Sequence, residues 1–115
     1  MSSQTRRSPR YSRQLEVDVD GLEIVTTNVA IGGVQLSCPE MRYAGFRRAG
    51  RDDGTWIKVR LPGTRDWIKV RGIPRYADLC EDEYLIGFQF TDFDSGAAAA
   101  WAAYIDTLAH AKPID

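Results

Sequence analysis

The chain has 115 residues, 43% of them hydrophobic and 27% charged, and a formal net charge of −1. This size and composition predict one soluble globular domain that buries a core without metals or disulfides. A membrane span is excluded because no apolar run has the length that a bilayer requires, and the N-terminus lacks the apolar stretch of a secretory signal. We therefore expect a cytoplasmic protein.

Positive charge is concentrated at the N-terminus. Residues 1 to 14 contain no acidic residue and carry Arg6, Arg7, Arg10 and Arg13. Because this segment is polar and has no apolar periodicity, we interpret it as a flexible basic arm that becomes ordered on ligand binding. The whole chain is nevertheless acidic, with a pI near 5.8, which argues against a general nucleic-acid binder and favours a small anionic ligand.

Three short strands are predicted after the arm. The segments LEVDV and LEIVTTNV flank Asp20-Gly21, a pair typical of a tight hairpin turn, and each contains alternating apolar residues. The segment GGVQLSC predicts a third strand that ends at Pro39. Residues 39 to 54 mix glycine, arginine and aspartate, and we expect a long connection there.

Two copies of the sequence WIKVR begin at Trp56 and Trp67, separated by LPGTR. Period-two alternation predicts two adjacent strands with a buried Ile/Val face and an exposed Trp/Lys/Arg face. A Trp/Arg binding surface is the alternative interpretation of the exposed face. A CEDE turn then leads to a sixth strand, YLIGFQFTDF.

The alanine-rich residues 95 to 111 predict the one strong helix, with Asp94 or Ser95 as its N-cap. An apolar stripe along it has helical spacing and needs a sheet or barrel to cover: Trp101, Tyr104, Ile105 and Leu108. The fold class is therefore all-β, a six-stranded antiparallel β-barrel over residues 15–115 with a C-terminal α-helix at 95–111, since closure removes exposed strand edges.

Catalytic chemistry finds no support in the sequence. His110 is the single histidine, no serine or cysteine has a plausible base, and no glycine-rich phosphate-binding run ending in lysine occurs. Cys38 and Cys80 could form one disulfide, but neither has the spacing of a metal ligand, and we expect buried or half-buried thiols. The prediction is a protein that is not an enzyme and has neither a metal site nor a cofactor.

Two short motifs carry the functional prediction. The first is the R-x-x-x-R spacing of Arg6 and Arg10, in which Pro9 keeps the arginines from forming a helix. The second is NVAIGG, from Asn28 to Gly33, between the second and third strands. Together they resemble the PilZ domain, a bacterial receptor module for cyclic di-GMP whose signature is R-x-x-x-R followed by D/N-x-S-x-x-G. The resemblance extends over nearly the whole chain, including the strand IGFQFTDFD that leads into a terminal helix, and this family folds as a six-stranded antiparallel barrel.

The resemblance implies a ligand-binding site for cyclic di-GMP. Arginine suits such a ligand, since its guanidinium can bind guanine O6 and N7 or a phosphate through two parallel hydrogen bonds. The family most often has serine where this chain has Ala30, and loss of one neutral hydrogen bond, about 0.5–1.5 kcal/mol, would weaken affinity about two- to twelve-fold. By resemblance, Arg6 and Arg10 bind the ligand with help from Arg7, and Asn28 reads a guanine edge. Gly32 and Gly33 allow positive φ and close approach. The site residues are Arg6, Arg7, Arg10, Asn28, Ala30, Gly32 and Gly33.

The predicted function is that of a bacterial cyclic di-GMP receptor and adaptor. Closure of the arm over the dinucleotide would change a surface that an unidentified downstream protein recognises. Two alternatives stay open: a PilZ-like protein-interaction module that does not bind nucleotide, and a small-barrel nucleic-acid binder that uses the arm and the Trp/Lys/Arg faces.

Overall fold

The computed structural model describes residues 8 to 111 and 113 to 114. Seven strands and two helices follow one another along these residues, together with a 3-10 turn at Glu40–Arg42. The strands are β1 (Tyr11–Ser12), β2 (Glu16–Val19), β3 (Leu22–Ala30), β4 (Gly33–Pro39), β5 (Thr55–Arg60), β6 (Trp67–Cys80) and β7 (Glu83–Phe93). The helices are α1 (Tyr43–Arg48) and α2 (Ala97–Thr107).

Six of the strands form a closed antiparallel barrel. Their order is β3-β2-β5-β6-β7-β4, and pairing between β4 and β3 completes the ring. The short strand β1 adds to the same edge of β3 as β2, further along, where Tyr11 pairs with Val29. The predicted fold class, a six-stranded antiparallel barrel with a C-terminal helix, is confirmed.

Alternation along β5 and β6 produces the core as the sequence predicts. In both WIKVR copies the isoleucine and valine are buried, while the tryptophan, lysine and first-copy arginine are exposed. Tight turns link neighbouring strands: Asp20 and Gly21 both adopt positive φ, as a two-residue hairpin with right-handed strand twist requires. The Asp18 carboxylate accepts a 2.8 Å hydrogen bond from the Gly21 N–H and so fixes this turn.

The long connection expected at residues 39 to 54 is wrong over its first part, which folds into the 3-10 turn and α1. Aromatic packing explains the difference. Phe46 is buried and meets Phe88 edge-on with ring centroids 6.5 Å apart, and Tyr43 stacks on Tyr84 at 3.8 Å. The Arg51 guanidinium donates to three backbone carbonyls at the C-terminal end of this helix.

Helix α2 is shorter than the predicted 95–111. It begins at Ala97 after Gly96, which has φ 79°, and no side chain caps it, so the expected capping by Asp94 or Ser95 is wrong. The predicted apolar stripe faces the barrel: Trp101 and Leu108 are buried, and Tyr104 and Ile105 are half-buried. Among the described residues no helix is long and apolar enough to cross a membrane.

The chain joins the barrel earlier than the expected boundary at residue 15. The Arg10 carbonyl accepts a 2.7 Å hydrogen bond from the Ile114 N–H, and Tyr11 is buried in β1. The last part of the predicted arm is therefore held between β3 and the residues after α2. Arg6 and Arg7, which carry the start of the R-x-x-x-R motif, lie outside the described residues.

Candidate ligand-binding site

A cleft of about 270 Å³ opens on the outer surface of four neighbouring strands, β3, β4, β7 and β6. All of the predicted site residues within the described part of the chain line this cleft: Arg10, Asn28, Ala30, Gly32 and Gly33. The structure therefore brings the end of the R-x-x-x-R motif and the NVAIGG motif to one place.

The floor of the cleft consists of two rows of residues that run across the strands. In one row Asn28 lies opposite Gln35, Gln35 opposite Gly87, and Gly87 opposite Tyr76. The parallel row begins with Ala30 and continues through Gly33, Gln89 and Ile73. Because side chains are small or absent at Ala30 and Gly33, the surface is depressed there, and polar amides surround the depression.

A β-bulge in β3 turns Asn28 toward the cleft. The pairing of β3 with β4 shifts between Thr26 and Asn28, with Thr27 as the extra residue. The side chain of Asn28 therefore lies on the outer face of the barrel, where strict alternation would have placed it on the inner face. Thr26 is buried in the barrel before the bulge, and Val29 occupies the equivalent inward position after it. Within the cleft the Gln35 Oε1 accepts hydrogen bonds from Thr27 Oγ1 at 2.6 Å and from Asn28 Nδ2 at 3.3 Å.

Tyr76 provides an aromatic wall. A Cβ atom added at Gly87 would lie 2.1 Å from Tyr76 Cε2, so the ring covers the Gly87 backbone. The Gln35 Nε2 donates a 2.8 Å hydrogen bond to the Tyr76 hydroxyl and holds the ring in this position. With 41% of its surface exposed, Tyr76 can still present an aromatic face to a ligand.

The charge of the cleft is positive. Arg10 lies on the side of β3 and Arg75 on the side of β6, and none of the described carboxylates lines the space between them. Arg75 is the extra residue of a second bulge, between Pro74 and Tyr76, and its Nε donates to the Gln89 Oε1. Two guanidiniums, amides and an aromatic ring suit an anion that also carries a planar base.

Helix α2 holds the turn between β3 and β4 through hydrogen bonds from Trp101. The fully buried Trp101 donates its Nε1–H to the carbonyls of Ala30 at 3.0 Å and Ile31 at 3.1 Å. The Gly32 carbonyl accepts a 2.9 Å hydrogen bond from the Phe90 N–H. The turn that carries Ile31 and Gly32 of the NVAIGG motif is therefore held by both the helix and the barrel.

The two glycines of the motif differ in their surroundings, and neither adopts the positive φ that the sequence allows them. A Cβ at Gly33 would lie 2.3 Å from the Phe88 carbonyl oxygen, so this glycine permits a close approach of β4 to β7. A Cβ at Gly32 would have no heavy atom within 4 Å, and that position is open to the cleft.

Sequence reasoning missed several cleft residues, among them one side chain from β4, two from β6 and one from β7: Gln35, Arg75, Tyr76 and Gln89. A signal existed for two of them. Gln35 and Gln89 each lie between apolar residues of their strand, and the alternation of side chains therefore places both on the outer face. No comparable signal marked Arg75 and Tyr76, because the bulge at Arg75 breaks the alternation of β6.

The closed barrel followed by a packed helix is a PilZ-like fold. Among solved structures it is similar to the Bacillus subtilis inhibitor of motility MotI/DgrA, a PilZ-domain protein, with a TM-score of 0.66 and 16% sequence identity. The match covers 91% of this chain and 51% of that one, so the present chain spans about half the length of MotI/DgrA. At this identity the likeness shows the fold alone. No protein-family model matches the sequence, and no curated protein does.

Proposed function

We propose that this chain is a bacterial cyclic di-GMP receptor that acts as an adaptor rather than as an enzyme, in the cytoplasm. The observation that carries the proposal is the convergence of Arg10, Asn28, Arg75 and Tyr76 on one cleft that no carboxylate of residues 8 to 111 or 113 to 114 lines. The PilZ-like fold of the barrel supports it.

The chemistry of the cleft fits the two halves of each guanylate unit. A guanidinium can bind guanine O6 and N7 or a phosphate through two hydrogen bonds, and its flat face stacks on a base. Arg10 and Arg75 take these roles from opposite sides of the cleft. Tyr76 offers a stacking surface, and the amides of Asn28, Gln35 and Gln89 can read the donors and acceptors of a guanine edge.

The arm contributes the rest of the site in this proposal. Arg6 and Arg7 precede Arg10 by a few residues, and closure of this segment over the dinucleotide would add two more guanidiniums. Ordering the arm costs conformational entropy, which reduces affinity but gives the bound state a surface that the free state lacks. A downstream protein that recognises that surface would respond to the ligand.

Calorimetric titration with cyclic di-GMP tests the proposal. The wild-type protein should bind, and Arg10→Ala should bind at least tenfold more weakly, since a charge-assisted hydrogen bond contributes about 1.5–3 kcal/mol. Arg65→Ala, in the exposed turn between β5 and β6 and outside the cleft, is the matched control and should bind as the wild type does. Absence of heat with the wild type, or equal affinities for all three proteins, would refute the site.

A PilZ-like interaction module that does not bind nucleotide is the second candidate, favoured by Ala30 in place of serine. Partner capture that is indifferent to added cyclic di-GMP would support it. The nucleic-acid alternative is weaker, because the cations on the outer face of β5 and β6 are partly neutralised: Arg60 pairs with Glu16, and Arg71 with Asp53 and Asp92.

A further inference from the structure

Strand β6 is longer than the strand beside it. It runs from Trp67 to Cys80, but its pairing with β5 ends where Gly72 meets Thr55. Beyond that point β6 pairs with β7 on one side only, and the described residues place no strand on its other side. The second half of β6 is therefore an open sheet edge within a barrel that is otherwise closed.

Part of this edge is protected against pairing. Pro74 has no N–H to donate, and the bulge at Arg75 distorts the ladder, two devices that commonly blunt exposed edges. From Tyr76 to Cys80 the register with β7 is regular and neither device is present. We call residues 76 to 80 the β6 edge. Its outward N–H and carbonyl groups can accept an added strand.

Apolar side chains accompany these backbone groups on both faces of the strand. Tyr76 is 41% exposed on the outer face, and Leu79 is 49% exposed on the face that it shares with Tyr84. An added strand could cover part of both side chains, which would contribute apolar burial to the backbone hydrogen bonds.

The negative charge on the β6 edge and on the turn that follows it indicates which kind of strand can be added there. Asp78, Glu81 and Asp82 have no cationic partner among the described residues, and no lysine or arginine occurs from residue 76 to residue 83. Glu40 adds another carboxylate nearby, since its N–H donates to the Asp82 carbonyl at 2.9 Å. A second copy of this chain would bring like charges together, because Asp78 lies at the centre of the edge.

We propose that the β6 edge binds an extended, basic segment of a partner protein as an added strand. Lysine or arginine side chains of that segment would lie beside Asp78 and the acidic turn, and its apolar side chains beside Leu79. Tyr76 belongs both to this edge and to the ligand-binding cleft, so the inference names the kind of downstream partner for the receptor proposed above and to that extent rests on it.

The test needs no dinucleotide. A short synthetic peptide of alternating valine and lysine is titrated into the full-length, isotope-labelled protein, and amide chemical shifts and hydrogen exchange are followed. Shifts and slowed exchange should concentrate at residues 76 to 80. The same peptide methylated at alternate backbone nitrogens keeps its charges but cannot pair, and it should not slow exchange there.

Charge variants complete the design. Asp78→Lys with Glu81→Lys should weaken peptide binding about five- to tenfold, whereas Asp52→Lys with Asp66→Lys, at exposed positions elsewhere, should leave it unchanged. Equal binding of the methylated peptide, shifts that map to another surface, or slowed exchange at residues 76 to 80 on self-association without peptide would each overturn the inference. If the peptide binds as described while cyclic di-GMP does not bind, the β6 edge stands and the receptor proposal fails.

Discussion

Alanine in place of each of the two adjacent glycines of the cleft should change stability by very different amounts. In Gly33→Ala the new Cβ would lie 2.3 Å from the Phe88 carbonyl oxygen. The Cβ is fixed to the backbone of residue 33, and both backbone segments are held by the pairing of Gly33 with Gln89. To reach an ordinary carbon–oxygen contact, β4 and β7 must separate by roughly 1 Å. The nearest atoms are backbone rather than a flexible side chain that could move, so the strain falls on the ladder between β4 and β7.

Overpacking of this kind costs about 1–3 kcal/mol, and the rigid surroundings place Gly33→Ala in the upper half of that range. For a chain of this length about 2–3 kcal/mol corresponds to a fall in melting temperature of roughly 8–12 °C. In Gly32→Ala the Cβ meets no heavy atom within 4 Å and φ is not positive, so the free energy of unfolding should change by less than about 0.5 kcal/mol.

Differential scanning calorimetry of the two variants and the wild type measures both effects. Equal melting temperatures for Gly33→Ala and the wild type would show that the strands can separate without cost, and the proposed reason for this glycine would be wrong. A large loss for Gly32→Ala would equally refute the reasoning. Because Gly32→Ala keeps the fold and narrows the mouth of the cleft, its affinity for cyclic di-GMP then reports on the space that the ligand needs.

Three further outcomes are expected. Ala30→Ser should tighten cyclic di-GMP binding about two- to twelve-fold in the same titration, since it restores one hydroxyl, and unchanged affinity would exclude a contact at that position. Trp101→Phe removes the donor to the β3–β4 turn and should lower the melting temperature by roughly 4–8 °C for a loss of about 1–2 kcal/mol; an unchanged melting temperature would show that the donor is dispensable. Burial raises the pKa of the Cys38 thiol, and the nearby Arg42 lowers it by less. A disulfide reagent should therefore label the exposed Cys80 before the buried Cys38, and equal labelling rates would contradict this. Because the thiol ionises more easily in the unfolded chain, the free energy of unfolding should fall as pH rises through the ordinary thiol range.

Local chemistry made most of the barrel predictable. The hairpin at Asp20-Gly21 and the two WIKVR strands depend on turn preference and on period-two alternation, which act between near neighbours. Helix α2 was recognisable from its alanines and apolar stripe. Its boundaries were less accurate, because Gly96 begins the helix where a side-chain cap was expected.

Tertiary contacts decided the elements that the sequence did not predict. Helix α1 is six residues long, and packing of Phe46 and Tyr43 against strand β7 stabilises it more than helix propensity does. Strand β1 exists because Tyr11 pairs with Val29, far along the chain. Neither contact has a local signature.

The candidate site was predictable only on the side that carries the motifs. Arg10 and Asn28 stand in recognisable spacing, whereas Arg75 and Tyr76 reach the cleft through a bulge and through the pairing of β6 with β7. A bulge shifts every later side chain to the other face of its strand, and alternation alone cannot place it.

The indole of Trp101 donates a hydrogen bond to the carbonyl of Ala30, which lies 71 positions earlier in the chain at the β3–β4 turn. During synthesis on the ribosome, the strands that line the cleft emerge well before the helix that supports them. A nascent chain that has exposed only the strands therefore lacks the donor that fixes the turn. The cleft should therefore take its final shape only after the helix has left the exit tunnel and docked on the barrel.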